Sequence, residues 1–227
     1  MNPPPYPRIP HLLPQSGGAR DDVVLTPDEA AAFLSAPVLV EEKLDGANVA
    51  LWLNQLGEPD ASLRSGPGSM DRGGQLGRLR AWVAEHRLDV IRTLAGGWAL
   101  YAEWLWRTHS VPYDRLPSYL VGLDLWHPES GFAPASERNE RLERIGLSGP
   151  PIKYCGVVGD RARLDGLARE ASSFGRHAAE GIVLRREGLA GSRIAKLLSP
   201  SFHRVNDETW ETSTQHNRVK ALPRFRV

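Results

Sequence analysis

Lys43 stands in the run Glu41-Glu42-Lys43-Leu44-Asp45-Gly46-Ala47-Asn48, at the end of an extended apolar stretch and directly before a second strand-like run, Val49 to Asn54. A lysine so placed is a candidate covalent nucleophile. That chemistry needs a neutral amine, held so that it meets an electrophilic phosphorus rather than moving freely in solvent. Gly46 is expected to supply a tight turn and Asp45 a polar contact. The same run also reads as an ordinary strand-turn-strand hairpin with a surface lysine. What separates the two readings lies downstream. Transfer of a nucleotide from a nucleoside triphosphate to a lysine, and onward to another phosphate, needs a cation for the phosphates, carboxylates for a metal and groups that read ribose and base. Each is present on a predicted strand end: Arg64, Glu103, Glu180 in Glu180-Gly181-Ile182-Val183, and Lys196 in Ala195-Lys196-Leu197.

The elements that must position these groups follow from periodicity and punctuation. Pro3-Pro4-Pro5-Tyr6-Pro7 favours an extended arm lying across the domain. Thr26-Pro27-Asp28-Glu29 reads as an N-cap, a proline at the first helical position and an acidic third residue, opening a helix to about Leu34. Val49, Leu51 and Leu53 alternate with Ala50, Trp52 and Asn54, the period of a half-buried strand. Pro67 to Gly77 carries too many breakers for a regular element. Leu76, Leu79 and Val83 predict an amphipathic helix to about Arg87. Strands are expected over Trp98 to Trp106, Tyr119 to Trp126, Gly181 to Arg186 and Arg193 to Leu198. Helices are expected from a Ser136 cap to about Ile145 and over Leu164 to Ala171. This order gives an α+β fold with antiparallel sheets.

Composition bounds the partners. The 227 residues, 41% of them hydrophobic, suffice for one substantial core, and 28 basic against 27 acidic residues leave no polyelectrolyte signature. Any nucleic-acid contact must then come from a local basic surface. The single cysteine, Cys155, excludes an internal disulfide framework and suits a reducing compartment; it is expected to be a small buried hydrophobe. No apolar run approaches the ~20 residues of a membrane span, and Met1 to Pro10 lacks the apolar segment of a signal peptide, so a cytoplasmic protein is expected.

Taken together and in order, these residues resemble the covalent nucleotidyltransferase superfamily of ligases and capping enzymes, and specifically its ATP-dependent RNA ligase family. Lys43-Leu44-Asp45-Gly46-Ala47-Asn48 resembles the family's first motif, with Asn48 typical of RNA ligases, and Arg64-Ser65-Gly66 its second. Glu103, with the stretch His109 to Tyr119, resembles the third. Glu180-Gly181-Ile182-Val183 and Lys196 resemble the fourth and fifth. The resemblance implies a ligase-type nucleotidyltransferase (adenylation) domain, with helices flanking antiparallel sheets and the nucleotide site between them. It implies that Lys43 forms a phosphoramide with AMP from ATP, assisted by Mg2+ or Mn2+, that AMP passes to an RNA 5′-phosphate, and that a 3′-hydroxyl displaces it. Lys43, Asp45, Glu180 and Lys196 would be catalytic. Glu42 (through its backbone), Asn48, Arg64, Glu103, Leu120 and Lys196 would contact the nucleotide, and Glu180 the metal. Cations next to Lys43 are expected to disfavour its protonated form.

Two positions depart from the family pattern. Its fifth motif commonly has a second lysine where this chain has Leu198, so phosphate neutralisation is expected to rest on Lys196 with help from Arg185, Arg193 or the metal. An aromatic ring that stacks on adenine is replaced by Leu120. Asp124, His11 and His109 read either as site residues or as structural ones, and Trp98, Trp104, Trp106 and Trp126 as core. Trp210 lies in a polar tail without an assigned role, and Arg218, Lys220, Arg224 and Arg226 read as a solvated end or, alternatively, as a contact to nucleic acid. The expected organisation is an arm over 1–20, a nucleotidyltransferase domain over 21–205 and a tail over 206–227. The ~30 residues after Lys196 are too few for an OB-fold, so a minimal monomeric catalytic domain is expected, gripping RNA through its own surface or a helper protein. A DNA ligase or GTP-using capping enzyme, and a binding module without turnover, stay open as alternatives.

Overall fold

The computed structural model describes residues 2–14, 23–64, 74–186, 193–205 and 215–220, the Arg193 side chain excepted. The expected helix α1 (Pro27–Ser35) starts on a complete capping box: Thr26 Oγ1 accepts from Glu29 N, and the Glu29 carboxylate accepts from Thr26 N. It buries Ala30 and Phe33. The chain then forms β1 (Pro37–Lys43), β2 (Ala47–Leu53), β3 (Pro59–Leu63), α2 (Gln75–Glu85), α3 (Arg87–Leu94), β4 (Ala99–Trp104), β5 (Leu120–His127) and β6 (Gly131–Phe132). After them come α4 (Ala135–Glu143), β7 (Ile152–Val157), α5 (Arg161–Ala168), β8 (Gly181–Arg186) and β9 (Arg193–Leu198).

Two antiparallel sheets result, one ordered β7-β1-β8-β9 and the other β3-β2-β4-β5-β6. The expected hairpin at Lys43 does not exist. β1 pairs with β7 and β8, whereas β2 pairs with β3 and β4, so the chain crosses from one sheet to the other at Leu44–Gly46. Gly46 is needed for a different reason from the one anticipated. It is not among the glycines with positive φ, but a Cβ there would stand 2.7 Å from Trp104 O and from Leu105 Cδ2. The crossing segment is pressed against β4, and only a residue without a side chain fits.

Strand alternation gives each sheet a helix-covered outer face and an inner face toward its partner. Val38 and Val40 of β1, Ile182 and Leu184 of β8, and Ala195 and Leu197 of β9 pack with Phe33 of α1 and Leu164 of α5. On the other sheet, Val49, Leu51, Leu100, Ala102 and Trp104 pack with Leu79 and Val83 of α2, Val90 and Leu94 of α3, and Leu142 of α4. Each fully buried aliphatic or Phe side chain of this kind stabilises by about 1.5–3 kcal/mol. The register of β4 and β5 shifts between Tyr101 and Ala102. The extra residue on β5 reverses parity, so that Val121 and Asp124 both belong to the inner face while Leu120 and Leu125 belong to the core beneath the helices.

The inner faces meet through a buried ionic clasp. Arg185 of β8 donates to Glu41 of β1 at 2.6 Å and to both carboxylate oxygens of Asp124 on β5 at 2.6 and 3.0 Å. Arg138 of α4 donates to Glu41 Oε1 at 2.5 Å and to Leu123 O at 2.7 Å. Tyr6 closes the chain with a hydrogen bond to Asp124, and Tyr101 Oη donates to Pro4 O at 2.5 Å, so the N-terminal arm lies across this inner face. Burial would push the Glu41 carboxyl up, but Arg185 and Arg138 outweigh it and hold it below its ordinary value. The opposite charges balance, which is what such burial requires. Asp124 is therefore structural. Arg185 is only 3% exposed and committed to carboxylates, so it does not serve phosphate neutralisation as anticipated.

Other expectations shift modestly. α5 begins at Asp160, whose side chain accepts from Arg163 N, rather than at Leu164. α4 begins after Pro134, without a Ser136 cap. Cys155 is exposed, because β7 is an edge strand whose outer side meets solvent. Trp104 is fully buried, and Trp98, Trp106 and Trp126 are partly buried against core clusters. Among the described residues no helix is long and apolar enough to cross a membrane. Trp210, Arg224, Arg226, the side chain of Arg193 and most of the glycine-rich stretch lie outside the described residues.

Candidate active site

Lys43 is the last residue of β1, opposite Gly181 of β8, and it shares the inner face with Glu41. A Cβ on Gly181 would lie 2.2 Å from Leu197 O, so this glycine lets β8 and β9 close tightly behind the lysine. Lys43 Nζ donates to Glu180 Oε2 at 2.6 Å, and its side chain keeps 22% exposure, enough to be reached from the cleft. Burial alone would lower its pKa, but Glu180, Glu103 and Asp45 outweigh burial and hold it above the ordinary lysine value. This reverses the expectation of cations beside Lys43. The group is an ammonium ion in a nest of carboxylates, and it must lose a proton before it can attack.

The carboxylates record the same imbalance from their side. Burial, then the neighbouring anions, raise Glu103 from 4.5 to about 7 against the pull of Lys43 and the Gly46 amide. Glu180 is raised to about 7 by burial and Asp45, opposed by Lys43 and Lys196. Three carboxylates act on Lys43, and of them Glu180 is also coupled to Lys196, an excess of negative potential that a divalent cation would relieve. Among the described residues no group of three or more His, Cys, Asp or Glu forms a ready-made metal site. Glu180, with Glu103 near it, therefore fits a cation that takes its remaining oxygens from phosphate and water, as Mg2+ does.

The segment after Lys43 is locked by its own backbone. Asp45 accepts from Ser110 N at 2.6 Å and Val111 N at 2.9 Å, Asp45 N donates to Tyr113 Oη at 2.8 Å, and Gly46 N donates to Glu103 Oε1 at 3.0 Å. The stretch His109 to Tyr119 thus holds the turn that carries the lysine. His109 sits 3.4 Å from Gln75, and burial lowers its pKa while Asp45 opposes that shift. His11 is buried and its amide donates to Val23 O at 2.7 Å.

Asn48 lies directly opposite Glu103 on β2 and β4, and its Oδ1 is buried with no hydrogen-bond partner among the described residues. Arg64 follows β3; its amide donates to Asn48 O at 2.9 Å and its side chain is exposed. Lys196 of β9 belongs to the inner face, and its backbone is clamped by the arm through Pro10 O and Leu12 N. Leu198 shares that face two residues on. Lys43, Asp45, Asn48, Glu103, Glu180 and Lys196 are thus brought together, with Arg64 at the same end of the sheet.

One predicted nucleotide contact, Leu120, is not, and Glu42, expected to act through its backbone alone, turns its side chain away. Glu42 points to the opposite face of β1, where its carboxylate accepts from Ser172 Oγ at 2.5 Å and Ser173 N at 2.8 Å and pairs with Lys153 at 3.3 Å. Its side chain is committed there, and only its backbone lines the inner side. Leu120 is 1% exposed in the core beneath α2 and α4, on the face of the sheet away from Glu103. The residue opposite Glu103 is Val121. An aliphatic wall for a base would come from that side of the sheet.

One organising residue carries no sequence signal at all. Asn217 is 2% exposed and uses its whole amide: Oδ1 accepts from Thr108 Oγ1 and Tyr113 N at 2.9 Å each, and Nδ2 donates to Leu105 O at 2.8 Å and Arg107 O at 3.3 Å. Backbone pairs from Thr108 N to Gln215 O and from Lys220 N to Leu116 O extend this strap over residues 215–220. Arg218 and Lys220 belong to a docked segment rather than a solvated end, although their side chains are exposed.

The geometry can be set beside known proteins. A family profile described as RNA ligase matches residues 36–198, which contain Lys43, Asp45, Asn48, Arg64, Glu103, Glu180 and Lys196. The chain belongs to the RNA ligase family. Solved structures of RNA ligases share the fold. An archaeal ATP-dependent RNA ligase superposes with a TM-score of 0.54 at 19% identity, over 86% of this chain and 48% of that one. Naegleria gruberi RNA ligase variants with ATP and Mn superpose with TM-scores of 0.59 (15% identity, 76% of this chain and 52% of that one) and 0.52 (13%, 88% and 62%). The chain thus spans about half the length of the first of these structures. No curated protein matches it.

Proposed function

We propose that this RNA ligase family member joins RNA 3′-hydroxyl and 5′-phosphate ends at the expense of ATP, through a covalent Lys43-AMP. One observation carries the reading: Lys43 Nζ sits where the two sheets meet, 2.6 Å from Glu180 and within the field of Glu103 and Asp45. A structural surface lysine would not be built into the junction of two sheets beside two carboxylates raised to about 7.

In the first step the Lys43 ammonium loses its proton to solvent water, which its 22% exposure admits, leaving the Glu180 carboxylate free of that proton. The freed amine attacks the α-phosphorus of ATP; a P–N bond forms and the P–O bond to pyrophosphate breaks. Lys196 offsets charge on the α-phosphate, and a divalent ion held by Glu180 would stabilise the developing phosphate charge when bound. Glu103 and Asn48 would meet ribose or base, a reading supported by the unpaired Asn48 Oδ1 opposite Glu103. In the second step an RNA 5′-phosphate oxygen takes AMP from Lys43, which leaves as the amine. In the third, a 3′-hydroxyl attacks the activated 5′-phosphorus and AMP departs. Arg64, which is exposed, would meet a strand phosphate.

The test is a sealing assay with 5′-labelled strands, ATP and Mg2+ or Mn2+, on nicked RNA, single-stranded RNA and nicked DNA. ATP-dependent conversion of the RNA label to a phosphatase-resistant form supports the proposal. Sealing of nicked DNA alone, or none of any substrate, would contradict it.

A further inference from the structure

The residues on either side of Lys43 also hold the two walls of a second cavity. Asp45 anchors the segment at Ser110 and Val111, and that segment continues to Tyr113. Glu42 anchors the loop at Ser172 and Ser173, and that loop continues to Arg176 and His177, closed by Ser172 N donating to His177 O at 2.8 Å. The walls touch: Asp114 N and Arg115 N donate to Phe174 O, and Arg115 reaches Gly175 O at 2.6 Å. The strap clamped by Asn217 closes the third side and brings His216 and Arg218. Together they line a solvent-open cavity of about 400 Å³, the small end of ligand pockets.

The lining is chemically one-sided. Arg176, Arg218, His177 and His216 supply donors, and the only carboxylate among the lining residues is Asp114, 3.5 Å from the Arg176 guanidinium. That pair is open to solvent, with Arg176 85% exposed, so it is weak and readily exchanged for a better anion. Two guanidinium forks and two imidazoles around a small cavity suit a phosphate oxygen cluster, not a base or a second protein. Tyr113 is a shared wall, lining this cavity while its hydroxyl receives the Asp45 amide of the nucleophile turn.

We propose that this cavity binds one phosphodiester unit of a single RNA strand and so registers that strand against Lys43. The proposal rests on the chain being an RNA-joining enzyme and adds the surface by which it grips its substrate. The donors come from one loop, held by Glu42 beside Lys43, and from the strap, which supports Tyr113 under the Asp45 turn, so occupancy by a strand phosphate also fixes the segments that orient that turn. Nothing in the nucleotide chemistry itself requires Arg176 or Arg218.

The experiment uses the full chain and a fluorescent single-stranded RNA oligonucleotide, followed by anisotropy across a salt series, with self-labelling by α-labelled ATP measured in parallel. The double variant Arg176→Ala/Arg218→Ala should lose on the order of tenfold in RNA affinity at ~0.1 M salt. Its log-log salt slope should be shallower by about 1.4, roughly 0.7 for each lost single-strand contact. Its self-labelling should equal wild type, since both side chains are exposed and apart from the nucleotide groups. The distant exposed pair Arg92→Ala/Arg144→Ala should leave affinity and slope unchanged. Wild-type binding by the first variant, equal loss in the second, loss of self-labelling with RNA binding, or no RNA binding by the unmodified chain would each overturn the proposal. If the unmodified chain fails to label itself yet binds RNA through these arginines, the ligase mechanism fails and the phosphate site stands.

Discussion

Replacing Glu103 by Gln should stabilise the free protein above neutral pH while impairing its chemistry. The Gln Oε1 still accepts from Gly46 N, as Glu103 Oε1 does at 3.0 Å, so the change removes a charge rather than a contact. Moving this carboxyl from 4.5 to about 7 costs the folded state up to about 3 kcal/mol once it is fully ionised. Because Glu103, Glu180 and Lys43 titrate together, a gain of about 1–3 kcal/mol is expected. The sign is fixed by linkage. Between pH 4.5 and about 7 the folded state holds a proton that the unfolded chain has released. Wild-type stability therefore falls as pH rises through that window, and it is flat with respect to this group on either side. Urea titrations of both proteins, without nucleotide or metal, should coincide near pH 4 and diverge to a plateau by pH 8, with the variant the more stable. A variant destabilised equally at both pH values would refute the carboxylate-excess account. The expected loss of self-labelling would mark the usual trade between stability and function.

Other perturbations separate structural from catalytic residues. Leu120→Ala should cost about 2–5 kcal/mol in denaturant unfolding, as core truncations do, while ATP affinity of the folded fraction, read by titration calorimetry, stays unchanged. A selective loss of ATP affinity would return Leu120 to the nucleotide. Asn217→Ala leaves four buried partners short of a hydrogen bond and should cost about 2–4 kcal/mol. Because the strap supports Tyr113 and through it the Asp45 turn, self-labelling should slow at saturating ATP, with a small change in the ATP concentration for half-maximal rate. A rate equal to wild type in a folded variant would remove that link.

The legible parts of this molecule were those whose causes are local. Thr26 and Glu29 are three residues apart and make their capping box without help, and β8 and β9 coincide with the predicted spans because Gly181 and the alternation around it are contiguous. Lys43, Glu103, Glu180 and Lys196, which the fold brings to one place, stand out in the sequence because each is a charged residue within or beside an apolar strand run. What escaped depends on other strands. A sheet-to-sheet crossing at Gly46 resembles a hairpin until its partners are known, and Leu120 was misplaced because a register shift reverses the parity of β5. β7 was missed because Ile152 to Val157 is a largely exposed edge strand with no clean alternation. α3 was not anticipated, because the helical pattern read from Leu76, Leu79 and Val83 stops at about Arg87, where His86 ends one helix and starts the next. The field at Lys43 came out reversed because residues 137 and 60 positions away converge on it, a sum that spacing alone does not reveal. Tyr6 and Asn217 act through bonds spanning 118 and 112 residues at most, and nothing near either residue signals its partner.

The central claim is that Lys43 becomes covalently bonded to AMP. Incubation of the purified chain with α-labelled ATP and Mg2+ or Mn2+, followed by denaturing electrophoresis and peptide mapping, tests it directly. The account predicts an acid-labile, base-stable label on the peptide containing Lys43, released by pyrophosphate and absent from Lys43→Ala. Label that survives Lys43→Ala, or a folded wild-type chain that takes up none, would contradict it.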